Sequence, residues 1–451
     1  MIHRINAYVK ASADYLFARE ICEKLQKSGF EAVLAGGCVR DHLMGVVAKD
    51  FDVATNALPD QIEKIFPRTV RVGEAFNVIL VISPHEANPL RVEVATFRKD
   101  IGISDGRHPQ KVEIATARED VERRDFTING MLYDPIAEKL FDWVGGQEDL
   151  KKGILRSIGD PALRIDEDHL RMMRAVRFSA RLNFEMDLKL KVTIQQKASL
   201  ITRISPERIF DELTKMLTGK NADRAMNQLD ELGLLKEVLP EALPMKGCPQ
   251  PPEYHPEGDV WVHTLLLLKQ CENASAELAW GCLLHDIGKP PTFSHEPPDR
   301  IRFNNHQNVG ADMARMILKR LHASNALTDI VCELTRDHLK FKDVPQMRPS
   351  TLKRFLRNPN FDLHLRMHYI DCMASHQNLT LFKLCEQKLK ELPPEVLKPV
   401  ALISGDDLIA AGFKPGPLFK IILESVETEQ LEGRLNSKEE AMKLVRSKKW
   451  T

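Results

Sequence analysis

LAGGCVRDHLMGVVAKDFDVAT, residues 34–55, decides how the rest of the chain is read. Ala32 to Ala35 predicts a short buried strand, Gly36-Gly37 a tight turn, and Cys38 to Met44 a helix. The first backbone N–H groups of such a helix lack internal partners, which makes the turn a cradle for phosphate. Lys49-Asp50-Phe51-Asp52-Val53 then alternates at period two, with both carboxylates on one face and the apolar residues on the other. Two adjacent carboxylates repel, and a pair of divalent metals held by oxygen ligands is the economical way to keep both ionised. A Gly-Gly turn or an Asp-x-Asp on a solvated edge is common without function. Together, at this spacing, they have the layout of nucleotidyl transfer, in which metals bridge a triphosphate and an attacking hydroxyl.

Working outward, Tyr15, Leu16, Ala18, Ile21 and Leu25 recur at helical spacing before Ser28-Gly29, so a helix leads into the first strand. After the Asp-x-Asp strand a helix starts at Leu58-Pro59-Asp60. Strands follow at Val70 to Val72, Val78 to Ile82 and Leu90 to Thr96, giving a small mixed sheet with helices on one side. Glu93 lies among apolar residues in the last strand and is either a third metal-site carboxylate or an edge residue facing water. Phe97 to Gln110 is polar, holds Gly102 and Gly106, and has no periodicity; it reads as a mobile loop in which Arg98 and Asp100 offer charged contacts.

Arg123 and Arg124 stand just ahead of an expected helix whose N-terminal region carries Asp125 and Thr127. An arginine pair suits triphosphate and Asp125 suits a ribose hydroxyl, while an exposed ion-pair cluster would give the same pattern. Asp142 to Leu150, DWVGGQEDL, supplies a turn whose glycines serve backbone geometry. From Asp160 the pattern becomes helical. ALRIDEDHLRMMRAVRFSARL places Arg164, Glu167, Asp168, Arg171, Arg174 and Arg177 at helical offsets, with Asp168 and Arg171 as neighbours on one face. Residues 151–224 hold 16 Lys and Arg against 10 Asp and Glu, a local surplus that fits an RNA footprint or a solvated helical face.

The chain has 451 residues, and at about 150 residues per domain it divides into three or four units. Lys plus Arg and Asp plus Glu balance at 64 each, so a nucleic-acid surface must be local. Eight cysteines form no C-x-x-C pair, which excludes zinc knuckles and a disulfide framework and fits a reducing cytosol. The N-terminus lacks a secretory core and no apolar run reaches membrane-spanning length, so a soluble cytoplasmic protein without a membrane partner is expected.

Leu239 to Pro256, rich in proline, reads as a linker. Beyond it stand His263 in VWVHTLLLL, His285-Asp286 in CLLHDIGK, His306 in NNHQNVGA, His338 in TRDHLKF and Asp371 in HYIDCMAS. Four histidines and two aspartates on separate helices are the N/O ligand set of a divalent or di-metal site.

Residues 34–55 resemble the nucleotide-binding motif of the polymerase β-like nucleotidyltransferase superfamily. LAGGCVRD with KDFDVAT, RRDFTING, DWVGGQEDL, EDHLR and ISPERI, in that order, resemble the class II (bacterial-type) tRNA nucleotidyltransferase and poly(A) polymerase family fused to an HD-superfamily domain. The resemblance covers roughly residues 30–245 and 255–375. It implies an α+β chain: a nucleotidyltransferase head over 1–155, an all-α neck and body over 156–245, an all-α HD domain over 246–385 and a helical tail over 386–451.

Carried onto this sequence, the resemblance assigns Asp50 and Asp52 to catalysis, with Mg2+ on both, and Glu93, from the strand reading above, is expected beside them as a third catalytic carboxylate. Gly36, Gly37, Arg40, Arg123, Arg124, Asp125, Asn129, Arg174 and Arg177 would bind the nucleotide, and Asp168 with Arg171 would read its base. A carboxylate acceptor beside a guanidinium donor fits the amino edges of cytosine and adenine, whereas uracil and guanine would set acceptor against acceptor. Gly130, Ile103 and His169 depart from the commoner family residues. The expected activity is addition of C and A to the 3′ end of tRNA from CTP and ATP, either the whole CCA or the terminal A only. The rivals are a poly(A) polymerase of the same family, an HD phosphohydrolase acting on 2′,3′-cyclic or 2′-phosphate RNA ends with a second divalent metal, and a non-catalytic RNA-binding protein.

Overall fold

The computed structural model describes residues 12–48, 50–72, 78–84, 88–103, 109–296 and 300–450, and the chain forms two compact units, Met1–Pro240 and Glu241–Thr451.

The first unit opens with α1 (Ala13–Lys27), capped by the Ser12 hydroxyl and burying Tyr15, Ala18, Ile21, Cys22 and Leu25. The strands β1 (Ala32–Ala35), β2 (Asp52–Thr55), β3 (Thr69–Val72), β4 (Val78–Ile82), β5 (Arg91–Thr96), β8 (Met131–Asp134) and β9 (Lys139–Asp142) make one sheet in the order β3-β4-β5-β2-β1-β8-β9. Only β2 and β5 run parallel; their register sets Asp52 beside Glu93. The central strands are covered on both faces. Leu34, Val53 and Val94 pack with α1 and with α2 (Gly37–Leu43). Val33, Ala54 and Leu132 face the other way, against Phe97 and against Val121 of α4 (Ala117–Glu122). Helices on one side only was the expectation, and α4 corrects it. The remaining helix of this layer, α3 (Pro59–Ile65), buries Ile62.

The segment expected to be an irregular loop is instead a hairpin of β6 (Arg98–Ile103) and β7 (Pro109–Ile114), antiparallel and a sheet of its own. Paired backbone groups do not need side-chain alternation, so polar composition concealed the strands. Gly106 lies outside the described residues, as does the side chain of Asp100.

The glycine turn before α5 (Gly146–Lys152) is structural. Asp142 accepts from the N–H groups of Val144, Gly146 and Gln147. A Cβ on Gly146 would lie 2.3 Å from the Thr127 carbonyl oxygen, a contact no side chain tolerates. Gly130 is equally confined, since an added Cβ would sit 2.7 Å from Ile158 Cδ1 and 2.9 Å from Val144 Cγ2.

The rest of the unit is helical: α6 (Pro161–Glu167), α7 (Arg171–Leu182), α8 (Leu188–Lys197), α9 (Pro206–Leu217), α10 (Ala222–Glu231) and α11 (Leu235–Val238), with the short parallel pair β10 (Ile154–Leu155) and β11 (Glu185–Met186) among them. Leu155, Met172, Met173, Val176, Leu213, Met216 and Met226 are buried to 2 % exposure or less. The second unit carries α12 (Val260–Leu268), α13 (Ala276–Leu284), the hairpin β12 (Phe293–Glu296) and β13 (Arg300–Phe303), α14 (His306–Arg320), α15 (Asn325–Asp337), α16 (Pro349–Leu356), α17 (Phe361–Ala374) and α18 (Thr380–Glu391). Four further helices follow, α19 (Pro394–Leu397), α20 (Gly405–Ala410), α21 (Pro417–Leu431) and α22 (Lys438–Ser447), the last three around a core that includes Leu408, Ile422, Val426 and Val445. Arg354 of α16 and Arg357 just after it both pair with Glu427 of α21, joining this tail to the helices before it. Among the described residues no helix is long and apolar enough to cross a membrane, and all eight cysteines are buried free thiols.

Candidate active site and histidine cluster

Gly36 ends β1 at φ +76°, a backbone only glycine adopts without strain, and turns the chain into α2. A Cβ there would stand 3.1 Å from Arg124 Nη1 and 3.9 Å from Asp52 Oδ2. The turn therefore brings the start of α2 against the carboxylate that begins β2. Asp52 and Asp50 flank buried Phe51 and are themselves exposed, as period two requires. Glu93 is also exposed, but it stands on β5 inside the sheet, next to Asp52 in register, and not on an edge. Partial desolvation in the concave cleft, with Glu93 and Asp50 as like charges, pushes Asp52 up to about 6 against the opposing pull of Arg124. A carboxylate set that raises its own proton affinity in this way has a place for a cation, which supports divalent-metal dependence of this head.

Of these carboxylates Asp52 lines a cleft of about 450 Å3. Gly36, Gly37, Arg40, Asp52, Arg123, Arg124, Asp125, Asn129, Asp168, Arg171, Arg174 and Arg177 all line it, so every nucleotide-binding residue expected from the sequence converges here. Phe178 and Arg181 line it too. Seven arginines against three aspartates leave a strongly positive wall suited to a polyanion.

Six of the seven arginines are aimed by a neighbour. Asp120, buried at 1 % exposure, accepts from Arg123 Nε and Nη2 at 2.9 and 2.6 Å and from Arg124 Nη2 at 2.9 Å. Burial would raise its proton affinity, but Arg124 and Arg123 hold it below the ordinary carboxylate range. Arg123 Nε also donates to the Arg98 carbonyl at 2.9 Å, tying the β6–β7 hairpin to this pair. The two arginines end α4 and precede a single 3-10 turn, Thr127–Asn129, instead of a new helix. Asp125 accepts from Arg174 Nε at 3.0 Å and Nη2 at 2.5 Å, and from Asn129 Nδ2 at 3.1 Å. Asn129 Oδ1 in turn accepts from Arg40 Nη1 at 2.7 Å. Arg40 is only 2 % exposed and also grips Asp41, so it braces the cleft wall. Arg177 is held by buried Glu212 at 2.7 Å and lies over the Phe178 ring at 4.3 Å.

The helix expected to run through Asp168 breaks there. Asp168 ends α6 in an extended conformation and Arg171 starts α7. Freed from the helix, Asp168 accepts from Leu170 N at 3.1 Å and from Arg208 Nη2 at 2.8 Å. Arg171 Nη1 donates to Glu167 Oε2 at 2.5 Å and to the Arg164 carbonyl at 2.7 Å. Arg171, Arg174, Arg177 and Arg181 then project from one stripe of α7 while Met172, Met173, Ala175 and Val176 fill its core face. Asp120, Glu212 and Arg208 went unnoticed in the sequence. Asp120 had a signal, since it stands three and four residues before two arginines; Glu212 and Arg208 are distant in sequence and had none.

In the second unit Asp286 is the hub. His285 Nε2, Lys289 Nζ, His306 Nε2 and His338 Nε2 lie 3.1, 2.7, 3.5 and 3.7 Å from its oxygens. His263 Nε2 is 3.8 Å away and contacts Asp371 Oδ1 at 3.1 Å. The Nδ1 atoms of His285, His306 and His338 face the carbonyls of Cys282, Phe303 and Thr335 at 2.9, 2.8 and 2.7 Å. Each Nδ1 is thereby spent on backbone and each Nε2 points inward, the usual preparation of a metal-ligating histidine. His263 Nε2, His285 Nε2 and Asp286 Oδ1 are buried without a hydrogen-bond partner. Those orphan atoms, all suited to a divalent ion, fit a metal site.

Burial opposes the charge of Asp286, yet His285 and Lys289 hold it well below the usual carboxylate range. Burial and the neighbouring cations push His338 down to about 3 despite the pull of Asp286. Against the effect of burial, Asp371 and Glu257 raise His263 to about 9. Residues 251–255, read as linker, line the adjoining cavity of about 780 Å3 together with Arg300 and Arg302. Gln250 Oε1 accepts from Lys289 Nζ at 2.6 Å and Glu257 contacts His263 Nδ1 at 2.6 Å. The proline-rich segment is therefore part of this site; proline content signalled a break in secondary structure but not where the chain would lie.

Comparison with known proteins finds similarity in three segments. Residues 32–156 match the poly A polymerase head domain, 183–245 the probable RNA- and SrmB-binding site of polymerase A, and 260–367 the HD domain. The chain is 39 % identical over 236 residues to poly(A) polymerase I of Haemophilus influenzae, covering 49 % of this chain and 51 % of that protein. It is 41 % identical over 225 residues to the CCA-adding enzyme of Bacillus licheniformis, covering 50 % and 55 %. The chain thus spans about half the length of the curated relatives it matches. A crystal structure of the Bacillus stearothermophilus CCA-adding enzyme in complex with CTP superposes with a TM-score of 0.70 at 26 % identity, covering 97 % of this chain and 98 % of that one. A Thermotoga maritima CCA-adding enzyme complexed with tRNA shares the fold at a TM-score of 0.58 and 18 % identity.

Proposed function

The chain belongs to the tRNA nucleotidyltransferase and poly(A) polymerase family with a fused HD domain, and from that premise we propose that it adds C and A to the 3′ end of tRNA without a template. The single observation that carries this reading is the arginine-walled cleft, which Asp52, Asp168 and Arg171 line together. Arg123, Arg124 and Arg174 face the triphosphate as multidentate donors, already oriented by Asp120 and Asp125. Asp168 accepts from the amino group that cytosine and adenine share, and Arg171 donates to the ring acceptor beside it. The terminal 3′ oxygen attacks the α-phosphorus and pyrophosphate leaves, while the arginine wall stabilises the charge that develops. Asp50, Asp52 and Glu93 would hold Mg2+, which supplies Lewis-acid stabilisation of the reacting oxygens.

The reaction belongs to the cytoplasm. The division proposed is 1–155 for the head, 156–245 for a body that grips the acceptor stem by backbone and shape, 246–385 for the HD domain and 386–451 for the tail. The test is incubation with tRNA transcripts ending before, within and just short of CCA, each nucleotide supplied separately. Stepwise C, C, A addition supports the full reading, and A alone on CC-ended tRNA the narrower one. Long A tracts on unstructured RNA would instead make it a poly(A) polymerase.

A second activity is favoured by the inward-pointing Nε2 atoms around Asp286 and by Lys289, Arg300 and Arg302 in the cavity beside them. We infer a metal-dependent phosphohydrolase acting on RNA ends that carry a 2′,3′-cyclic or 2′-phosphate. Release of phosphate from such RNA by the intact chain, abolished by chelation, is its test.

A further inference from the structure

The last turn of α15 carries two carboxylates on one face, Glu333 and Asp337, four residues apart. Like charges at that spacing repel, and the C-terminal end of a helix is its negative pole, so the pair favours positive charge beside it, of which Lys340 Nζ, 2.8 Å from Asp337, supplies part. Opposite them on α17 is His364, which is 0 % exposed and makes no hydrogen bond through either ring nitrogen. Leaving a buried polar group unmatched costs on the order of 1–3 kcal/mol. Its Nε2 lies 3.5 Å from Glu333 Oε1. That is long for a hydrogen bond, but two ligands each about 2.1 Å from a tetrahedral ion stand roughly 3.4 Å apart. Ligand atoms of all three residues fall within 4.8 Å of one another.

The carboxylates are also held from outside. Asn358 and Asn360 donate to the two oxygens of Glu333, and Lys340 Nζ donates to Asp337 at 2.8 Å. Such outer partners fix ligand orientation in metal sites. Glu333 is 31 % exposed, which leaves a way in from solvent.

We propose that Glu333, Asp337 and His364 form a zinc-type divalent site, distinct from the Asp286 cluster, with water completing the coordination. One imidazole and two carboxylates suit Zn2+ and its neighbours in the first transition row better than Mg2+ or Ca2+. The ion would fasten α15 to α17 immediately before His338, whose ring belongs to the cluster.

The experiment dialyses the full chain against stoichiometric Zn2+ in excess Mg2+ and measures bound zinc per chain by elemental analysis, with thermal melts in parallel. Asp286→Ala removes the hub of the cluster and so isolates the new site. On that background, adding His364→Gln should remove one further zinc per chain and abolish the zinc-dependent rise in Tm. Glu333→Gln with Asp337→Asn should do the same, and this pair carries the test if the histidine variant fails to fold. Equal zinc in D286A and in D286A carrying either change overturns the site and leaves His364 a core histidine beside Glu333.

Discussion

Asp120→Asn tests whether the arginine wall works because it is preorganised. The carboxylate accepts four hydrogen bonds from the guanidinium groups of Arg123 and Arg124. Asparagine keeps one oxygen but turns the other into an N–H2 that faces a guanidinium, donor against donor. Arg123 retains the Arg98 carbonyl as an acceptor, so Arg124, held through Oδ2, is the arginine released. One charge-assisted contact to the triphosphate is worth about 1.5–3 kcal/mol, which converts to a rise in KM for CTP and ATP of roughly 10- to 150-fold. Affinity for tRNA should stay within about twofold, because the lost contact is to the nucleotide. Steady-state kinetics with the nucleotide varied at saturating tRNA, beside a filter-binding Kd for tRNA, separates the two. A folded variant whose nucleotide KM rises less than threefold would refute the argument. The same substitution has a pH signature. Asp120 titrates below its ordinary value, so its stabilisation is full above about pH 4 and lost as pH falls through the native value. The wild-type chain should therefore lose denaturant resistance below pH 4 more steeply than D120N.

Asp52→Ala should abolish nucleotide incorporation in a gel assay, a drop of at least 100-fold, while leaving tRNA binding near normal; near-normal turnover would remove Asp52 from the metal site. Asp168→Ala should raise UTP and GTP use relative to CTP and ATP, and unchanged ratios in single-nucleotide assays would move base reading elsewhere. His285→Ala or Asp286→Ala should eliminate phosphohydrolase activity and spare nucleotide addition, since the two sites lie in separate units; joint loss would point to one integrated site. Deleting residues 99–107, which removes all of β6 but Arg98 and leaves β7, should preserve C addition but abolish A addition on tRNA ending in CC; wild-type A addition would take the hairpin out of the mechanism.

The sequence carried those features that local spacing encodes. The Gly36 turn, the alternation around Phe51 and the arginine stripe of α7 are one-dimensional patterns, and each led to the cleft. What it hid is how far-apart residues share charges. Glu212 lies 35 residues from Arg177 and Arg208 lies 40 from Asp168, so no window of sequence joins them. Glu93 was ambiguous because a charged strand residue reads alike on an edge and inside a sheet; only the parallel register sets it beside Asp52 on an interior strand. The break at Asp168 was hidden for a different reason, since Arg164, Glu167 and Arg171 keep helical spacing through it.

That break bears on how selection among bases would work. Both residues proposed to read the base already have partners: Asp168 holds Arg208, and Arg171 holds Glu167. A nucleotide entering the cleft therefore exchanges charge-assisted hydrogen bonds and does not simply add them, so a correct base gains little from these two contacts alone. An incorrect base loses more, because a carbonyl facing Asp168 displaces an internal partner and leaves two acceptors opposed. A buried mismatch of that kind costs about 1–3 kcal/mol, a factor of roughly 5 to 150 in selectivity. Discrimination would then reside in the penalty for uracil and guanine more than in attraction for cytosine and adenine. The same exchange explains how one pair of residues can accept both correct bases. Each presents an amino donor to Asp168 and a ring acceptor to Arg171, and the internal partners, Arg208 and Glu167, keep the pair from collapsing onto each other between turnovers.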